Sequence, residues 1–246
     1  MNAVLPALQG IHSPRCLVSW QLLSTAAGLV NGFAFLLCRE FVTHMTGTVT
    51  RAGMEWQSVG LMLEYFIIVA SFVAGAAMSV AARNTSCLRV KAAPWIVPLG
   101  LVLLILIGVA SGGCAGIFGT IPSLHSHGSL AVCLLSLLAF AMGIQNAAIP
   151  GSSGFGIRTT HLSGHATNLG IQLATVCFSQ GRLRRTAFYD ALLRGGKIVS
   201  FGLGAAVAVP LTNRWGFVAL FAPAVCVLFA ILISRSPDGD GFQESR

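Results

Sequence analysis

The sequence predicts an all-α fold: a polytopic membrane helical bundle of about six transmembrane helices in two inverted-topology repeats, each with a polar broken or re-entrant helix. Three observations predict it. First, 55% of the 246 residues are hydrophobic and 9% are charged, whereas a soluble domain is about a quarter charged. Second, the few charges cluster and leave long neutral runs. None occurs from residue 92 to residue 157, a length that holds about two crossings of roughly 20 residues each. Third, the chain repeats itself in order. Gly28-Leu-Val-Asn31 matches Gly143-Ile-Gln-Asn146, and Thr43-His-Met-Thr-Gly-Thr-Val-Thr-Arg-Ala-Gly53 matches Thr160-His-Leu-Ser-Gly-His-Ala-Thr-Asn-Leu-Gly170. Further on, Ser71-Phe-Val-Ala-Gly-Ala-Ala77 matches Ser200-Phe-Gly-Leu-Gly-Ala-Ala206. Two homologous halves follow, about 15–120 and about 130–235, within one membrane domain over 15–235.

Residues 1–14 contain no Lys or Arg, unlike the charged start of a cleavable signal peptide. They are read as a cytoplasmic segment ahead of a first helix that stays in the mature chain. The first span, 16–38, is bounded by Arg15 and Arg39, and the second, 65–82, by Glu64 and Arg83. Segment 43–58 is of helix length but opens on the polar run THMTGTVTR, so it can cross the membrane or dip into it. Spans at 95–112 and 130–149 share the long uncharged stretch. Segment 160–180 opens on THLSGHATN and repeats the ambiguity of its counterpart. The last spans, 198–213 and 215–234, follow Lys197 and Arg214, and the tail at 236–246, with its Pro, Asp and Gly, is expected to be disordered.

The positive-inside rule arbitrates the count. Six spans with both termini inside place Arg15, Arg83, Arg89, Lys91, Arg158, Arg182, Arg184, Arg185, Arg194, Lys197, Arg235 and Arg246 on the cytoplasmic face, and only Arg39, Arg51 and Arg214 outside. That split is twelve against three, and letting both polar segments cross, for eight spans, reduces it to nine against six. Six spans are expected, three per half, and an odd number per half turns the second copy upside down relative to the first.

The net charge of +8 does not point to nucleic acid, because membrane proteins retain Lys and Arg in cytoplasmic loops. The same argument makes Arg182, Arg184, Arg185, Arg194 and Lys197 topology determinants, with Asp190 balancing one of the arginines. Cys16, Cys38, Cys114, Cys133, Cys177 and Cys226 lie in apolar runs without a CxxC spacing. They are expected to be small buried hydrophobes, reduced and unpaired.

The paired signature is GLVNG in the first helix, then FVTHMTG with a Gly six residues later, and GIQNA followed by TTHLSG in the second half. It resembles the bacterial YoaK family, also called DUF1275, over most of the chain. The resemblance implies a small multi-pass protein of the inner (plasma) membrane with about six spans, and brings no established activity with it. This chain departs from the family pattern at two places, with Asn31 where an Asp is usual and Thr46-Gly47-Thr48 where Thr-Gly-Asn is usual. If relatives carry a proton on that Asp, Asn31 does not.

Clustered hydroxyls and broken helices at membrane depth need protein or water as hydrogen-bond partners, so the two polar segments are expected to face inward. Gly47 and Gly164 permit a close approach or a broken helix, and a half-helix that follows aims its positive end at the centre. A substrate site would then set Thr43, His44, Thr46, Gly47 and Thr50 opposite Thr160, His161, Ser163, Gly164 and Thr167, with Asn31 and Asn146 adding amide donors. The same residue types also serve as hydrogen-bonding and close-packing elements between membrane helices, and both readings stay open. Gly75 and Gly204, each followed by two alanines, fit packing. Arg51 and Glu55 have the spacing of a helix-face pair. His161 and His165 share a helical face without a Glu or Cys to complete a metal set, so no metal and no cofactor are expected. No HExxH, GxSxG or phosphate-binding loop occurs, so no enzyme is expected. The function predicted is a secondary transporter or permease of a small polar or anionic solute, in contact with the lipid bilayer and open to homo-oligomerisation. The alternative is a membrane scaffold or assembly partner in which the motifs only pack helices.

Overall fold

The computed structural model describes residues 14–89, 94–119, 128–148 and 162–234. These residues are helical almost throughout. The first half consists of α1 (Pro14–Cys38), α2 (Met45–Met54), α3 (Val59–Arg89) and α4 (Ile96–Cys114). The second consists of α5 (Ser129–Ala148), α6 (Leu162–Phe178), α7 (Gly181–Trp215) and, after a 3-10 turn at Gly216–Leu220, α8 (Phe221–Ser234). Residues 1–13, 149–161 and 236–246 lie outside the described residues.

Among the described residues five stretches are long and apolar enough to cross a membrane: Leu17–Cys38, Val59–Asn84, Ile96–Cys114, Ser129–Ala148 and Gly181–Ser234. The fifth has 54 residues, a helical reach of about 80 Å at 1.5 Å per residue against a hydrocarbon layer of about 30 Å. It is broken at Gly216, where a φ of +54° ends α7 and sends the chain back as α8. Phe217 fills the corner. Its ring meets Phe33 edge-on with centroids 5.6 Å apart and stacks with Phe118 at 5.8 Å. Gly113 leaves it room, since a Cβ there would overlap the ring.

Helices α1 and α5 form the interior, with 67% and 61% of their apolar windows buried against 28% for α3. Leu23, Val30, Phe33 and Leu37 of α1 meet Leu134, Leu138, Met142 and Ile144 of α5 in one apolar core, with Leu106 of α4 and Leu220. The outer faces of α3 and α7 expose Leu63, Phe66, Val73, Leu192, Val199 and Leu203, as helices that face lipid do. This corrects the expectation for the cysteines. Cys38 is buried and Cys226 half-buried, but Cys114, Cys133 and Cys177 are exposed on apolar helix surfaces, and all five are free thiols.

The halves pack by exchange. Helix α1 lies on α7 and α5 lies on α3, α8 packs on α1 as α4 packs on α5, and α6 rests on α7 as α2 rests on α3. The repeat glycines make the crossings. A Cβ at Gly28 would overlap the Phe201 carbonyl, and one at Gly204 the Thr25 carbonyl. At the equivalent crossing, a Cβ at Gly143 would overlap the Phe72 carbonyl and one at Gly75 the Phe140 carbonyl. Backbones this close leave space only for hydrogen, which is the small-residue packing expected of Gly75 and Gly204.

Candidate functional site

Helix α1 ends because Arg39 adopts a left-handed φ of +58°, its N–H bonding back to the Phe35 carbonyl at 2.9 Å. The chain then folds back along α1. Asn31 lies seven residues before Cys38, about 10 Å down the helix at 1.5 Å per residue. Its Oδ1 accepts three hydrogen bonds, from the Val42 N–H at 3.0 Å, the Thr43 N–H at 3.1 Å and the Thr43 hydroxyl at 3.1 Å. The first polar segment is therefore held against the side of α1. The side chain of Asn31 acts towards it as an acceptor, where amide donation had been expected.

The ten-residue helix α2 then begins at Met45 with His44 as its N-cap residue, which makes no side-chain cap. The exposed His44 ring lies over Gly47, where a Cβ would come within 2.7 Å of Nδ1, and meets Phe41 edge-on at 6.4 Å. The Thr48 hydroxyl donates to the His44 carbonyl at 3.2 Å and the Thr50 hydroxyl to the Thr46 carbonyl at 2.9 Å. Thr46 and Thr50 are exposed, whereas Thr48 and Ala52 form the buried face of α2.

Arg51 does not use Glu55, the partner its spacing suggested. Its guanidinium is ion-paired with Glu40, a buried carboxylate that also accepts the Tyr65 hydroxyl at 3.1 Å. This triad ties the loop, α2 and α3 together. Removing Tyr65's hydroxyl by Tyr65→Phe should lower stability by about 1 kcal/mol, an ordinary hydrogen bond. Arg51→Ala should cost more, because Glu40 loses its counter-charge, although Arg51 is half exposed and water replaces part of the interaction. Thermal unfolding of the two variants in one detergent checks the order.

In the second half, Asn146 is buried near the end of α5, while Thr160 and His161 lie outside the described residues. Ser163 and Gly164 fall in the first turn of α6, which runs unbroken through Gly164 with open space beside it, and Thr167 is exposed. His165, at the repeat position of Thr48, is buried as Thr48 is. Among the described residues α2 packs on α3 and α6 on α7, so the two motifs are not packed against each other. What meets at the middle is α1 and α5, through Gln145, fully buried, whose Nε2 donates to the Leu23 carbonyl at 2.9 Å while its Oε1 has no partner among the described residues. The repeat signature contains Gln145, but nothing in its spacing distinguishes it from the adjacent Asn146. Among the described residues no group of three or more His, Cys, Asp or Glu could hold a metal.

A family model described as "Protein of unknown function (DUF1275)" matches residues 20–233. No curated protein and no solved structure matches the chain.

Proposed function

Because the chain belongs to the DUF1275 family, we propose that it is a non-enzymatic, multi-pass permease or secondary transporter of a small polar or anionic solute. The observation that carries this reading is the exchange of packing between halves, α1 on α7 and α5 on α3, with a glycine pair at each crossing. Inverted repeats of that kind let one half rock against the other around a central site.

The direction of the helices supports the inversion. Trp20 meets Lys197, Gln21 meets Ser200, and Gly32 meets Ala208, so α1 and α7 run parallel. An odd number of crossings must separate two parallel spans. Helices α3, α4 and α5 supply three, so α2 and α6 either both cross or both do not. Ten residues of α2 reach only about 15 Å, half of a hydrocarbon layer of about 30 Å. Neither crosses on this reading, six spans result, and each half contributes three. Arg15 and the basic start of α7 then share one face, which the positive-inside rule makes cytoplasmic, with both chain ends there and the inner membrane as location. The exposed apolar faces of α3 and α7 are available for lipid or a second copy.

In this reading Thr46, Thr50, His44 and Thr167, which are exposed, and Ser163 contribute polar groups to a solute path, and Asn31 and Thr43 hold the first segment in place. One observation favours the scaffold alternative: the Asn31 oxygen and the Thr43 hydroxyl are spent on each other. Water access separates the two. Single cysteines at positions 46 and 163, in a protein without its native seven, are treated with membrane-impermeant thiol reagents from each face. Labelling of both, with access from one face falling as the other rises, is the expected result. Protection of both from either face would end the transport reading.

A further inference from the structure

The basic cluster at the start of α7 divides in two. Arg182, Arg184 and Arg185 are exposed, as topology determinants are, but Arg194 retains 5% exposure and Lys197 none. Among the described residues the Lys197 ammonium and the Arg194 Nε have no hydrogen-bond partner, and Lys197 Nζ lies over the Trp20 ring, 5.0 Å from its centroid. Buried charges are ordinarily paired, because desolvation of an unpaired ion is costly. The side chains of α1 and α6 that meet this stretch of α7 are not carboxylates. From α1 come Trp20 and Gln21, whose oxygen is occupied by the Ser200 hydroxyl at 2.8 Å and whose amide nitrogen lies over Gly196. From α6 comes Leu169, over Gly195. The nearest carboxylate in sequence is the half-buried Asp190, one turn before Arg194, which offers one negative charge to two cations.

We infer that Lys197 and Arg194 form a binding site for a phosphoryl oxyanion. A guanidinium fork, an ammonium and the Gln21 amide nitrogen supply donors, and such a set suits phosphate oxygens. The ammonium stacked on Trp20 is released to the ligand at the cost of one cation–π contact. Entry is along α6, whose outer surface is largely exposed and which packs chiefly against α7. The phosphoryl group belongs either to a soluble phosphate or to an anionic lipid headgroup at the basic face. The site does not depend on the transport reading.

The test is thermal unfolding of the full chain in an uncharged detergent. One arm titrates sodium phosphate against sodium chloride of equal ionic strength, and the other a short-chain phosphatidylglycerol against the matching phosphatidylcholine. At about a hundredfold excess over Kd, a true ligand should raise Tm by roughly 5–10 °C above its control. The shift should vanish in Arg194→Gln and in Lys197→Met and persist in Lys197→Arg. A response to phosphate identifies a soluble ligand, and a response to phosphatidylglycerol alone identifies a headgroup. If Lys197→Met does not fold, Arg194→Gln carries the comparison, together with Trp20 emission, read as wild type minus Trp20→Phe, which must change on binding. The inference is overturned if neither phosphoryl compound exceeds its control, or if Arg194→Gln keeps the whole shift.

Discussion

Leucine at Gly28, Gly75, Gly143 or Gly204 is expected to abolish recovery of folded protein, and alanine at any of them to lower Tm measurably. The reason is steric. At each position an added Cβ falls on a backbone carbonyl of the crossing helix, which cannot move aside as the end of a flexible side chain can. Overpacking commonly costs about 1–3 kcal/mol even where side chains can adjust. Here two helices must separate, and with them the packing of α1 on α7 or of α5 on α3. The repeat sharpens the expectation, because Gly28 and Gly143 occupy matching places, as do Gly75 and Gly204, so each pair should lose similar stability. Gly53 and Gly164 supply the controls. Both lie in helices with nothing near enough to touch a Cβ, so alanine there should be neutral or stabilising by up to about 1 kcal/mol. Size-exclusion profiles and thermal unfolding of the six alanine variants decide it, and equal losses at Gly28 and Gly164 would refute the crossing argument.

Gly75 and Gly204 were legible in the sequence as packing positions, and Gly28 and Gly143 only as members of the repeat, because membrane helices have a simple grammar. Neutral length marks spans, small residues in a repeated position mark crossings, and the ends predicted for the first, third and fourth spans lie within two residues of α1, α4 and α5. The less accurate ends have a physical cause. Helix α7 begins at Gly181, well before the predicted start at 198, because its charged first half is itself helical and extends past the apolar stretch. The candidate site was less legible, since its contacts join residues far apart in the chain. Glu40 reaches Tyr65 across 25 positions, and no local spacing announces it. Lys197 and Arg194 read as loop charges because sequence records sign and place but not enclosure. Arg51 shows the opposite error, a well-spaced helical neighbour in Glu55 passed over for the buried carboxylate of Glu40.

Asn31→Leu is expected to detach the first polar segment from α1, and Asn31→Asp to keep it attached. One oxygen receives the Val42 N–H, the Thr43 N–H and the Thr43 hydroxyl, in a place where Val42 is fully buried and Asn31 is 7% exposed. Leucine fills much of the volume but accepts nothing. A buried donor without a partner costs about 1–3 kcal/mol, and two backbone N–H groups cannot be removed by rotating a side chain. The penalty of roughly 2–6 kcal/mol that follows from two such groups is large enough to expel the loop. Aspartate presents the same acceptor geometry, and three donors around one oxygen suit a carboxylate at least as well as an amide. The readout must separate local release from global unfolding. Hydrogen exchange does so: in Asn31→Leu the amides at 42–48 should exchange much faster while those of α5 stay protected, whereas Asn31→Asp should follow the parent protein. If 42–48 remain protected in the leucine variant, the segment is held by the triad of Glu40, Arg51 and Tyr65 instead. Combining Asn31→Leu with Tyr65→Phe then measures how far the two anchors support each other.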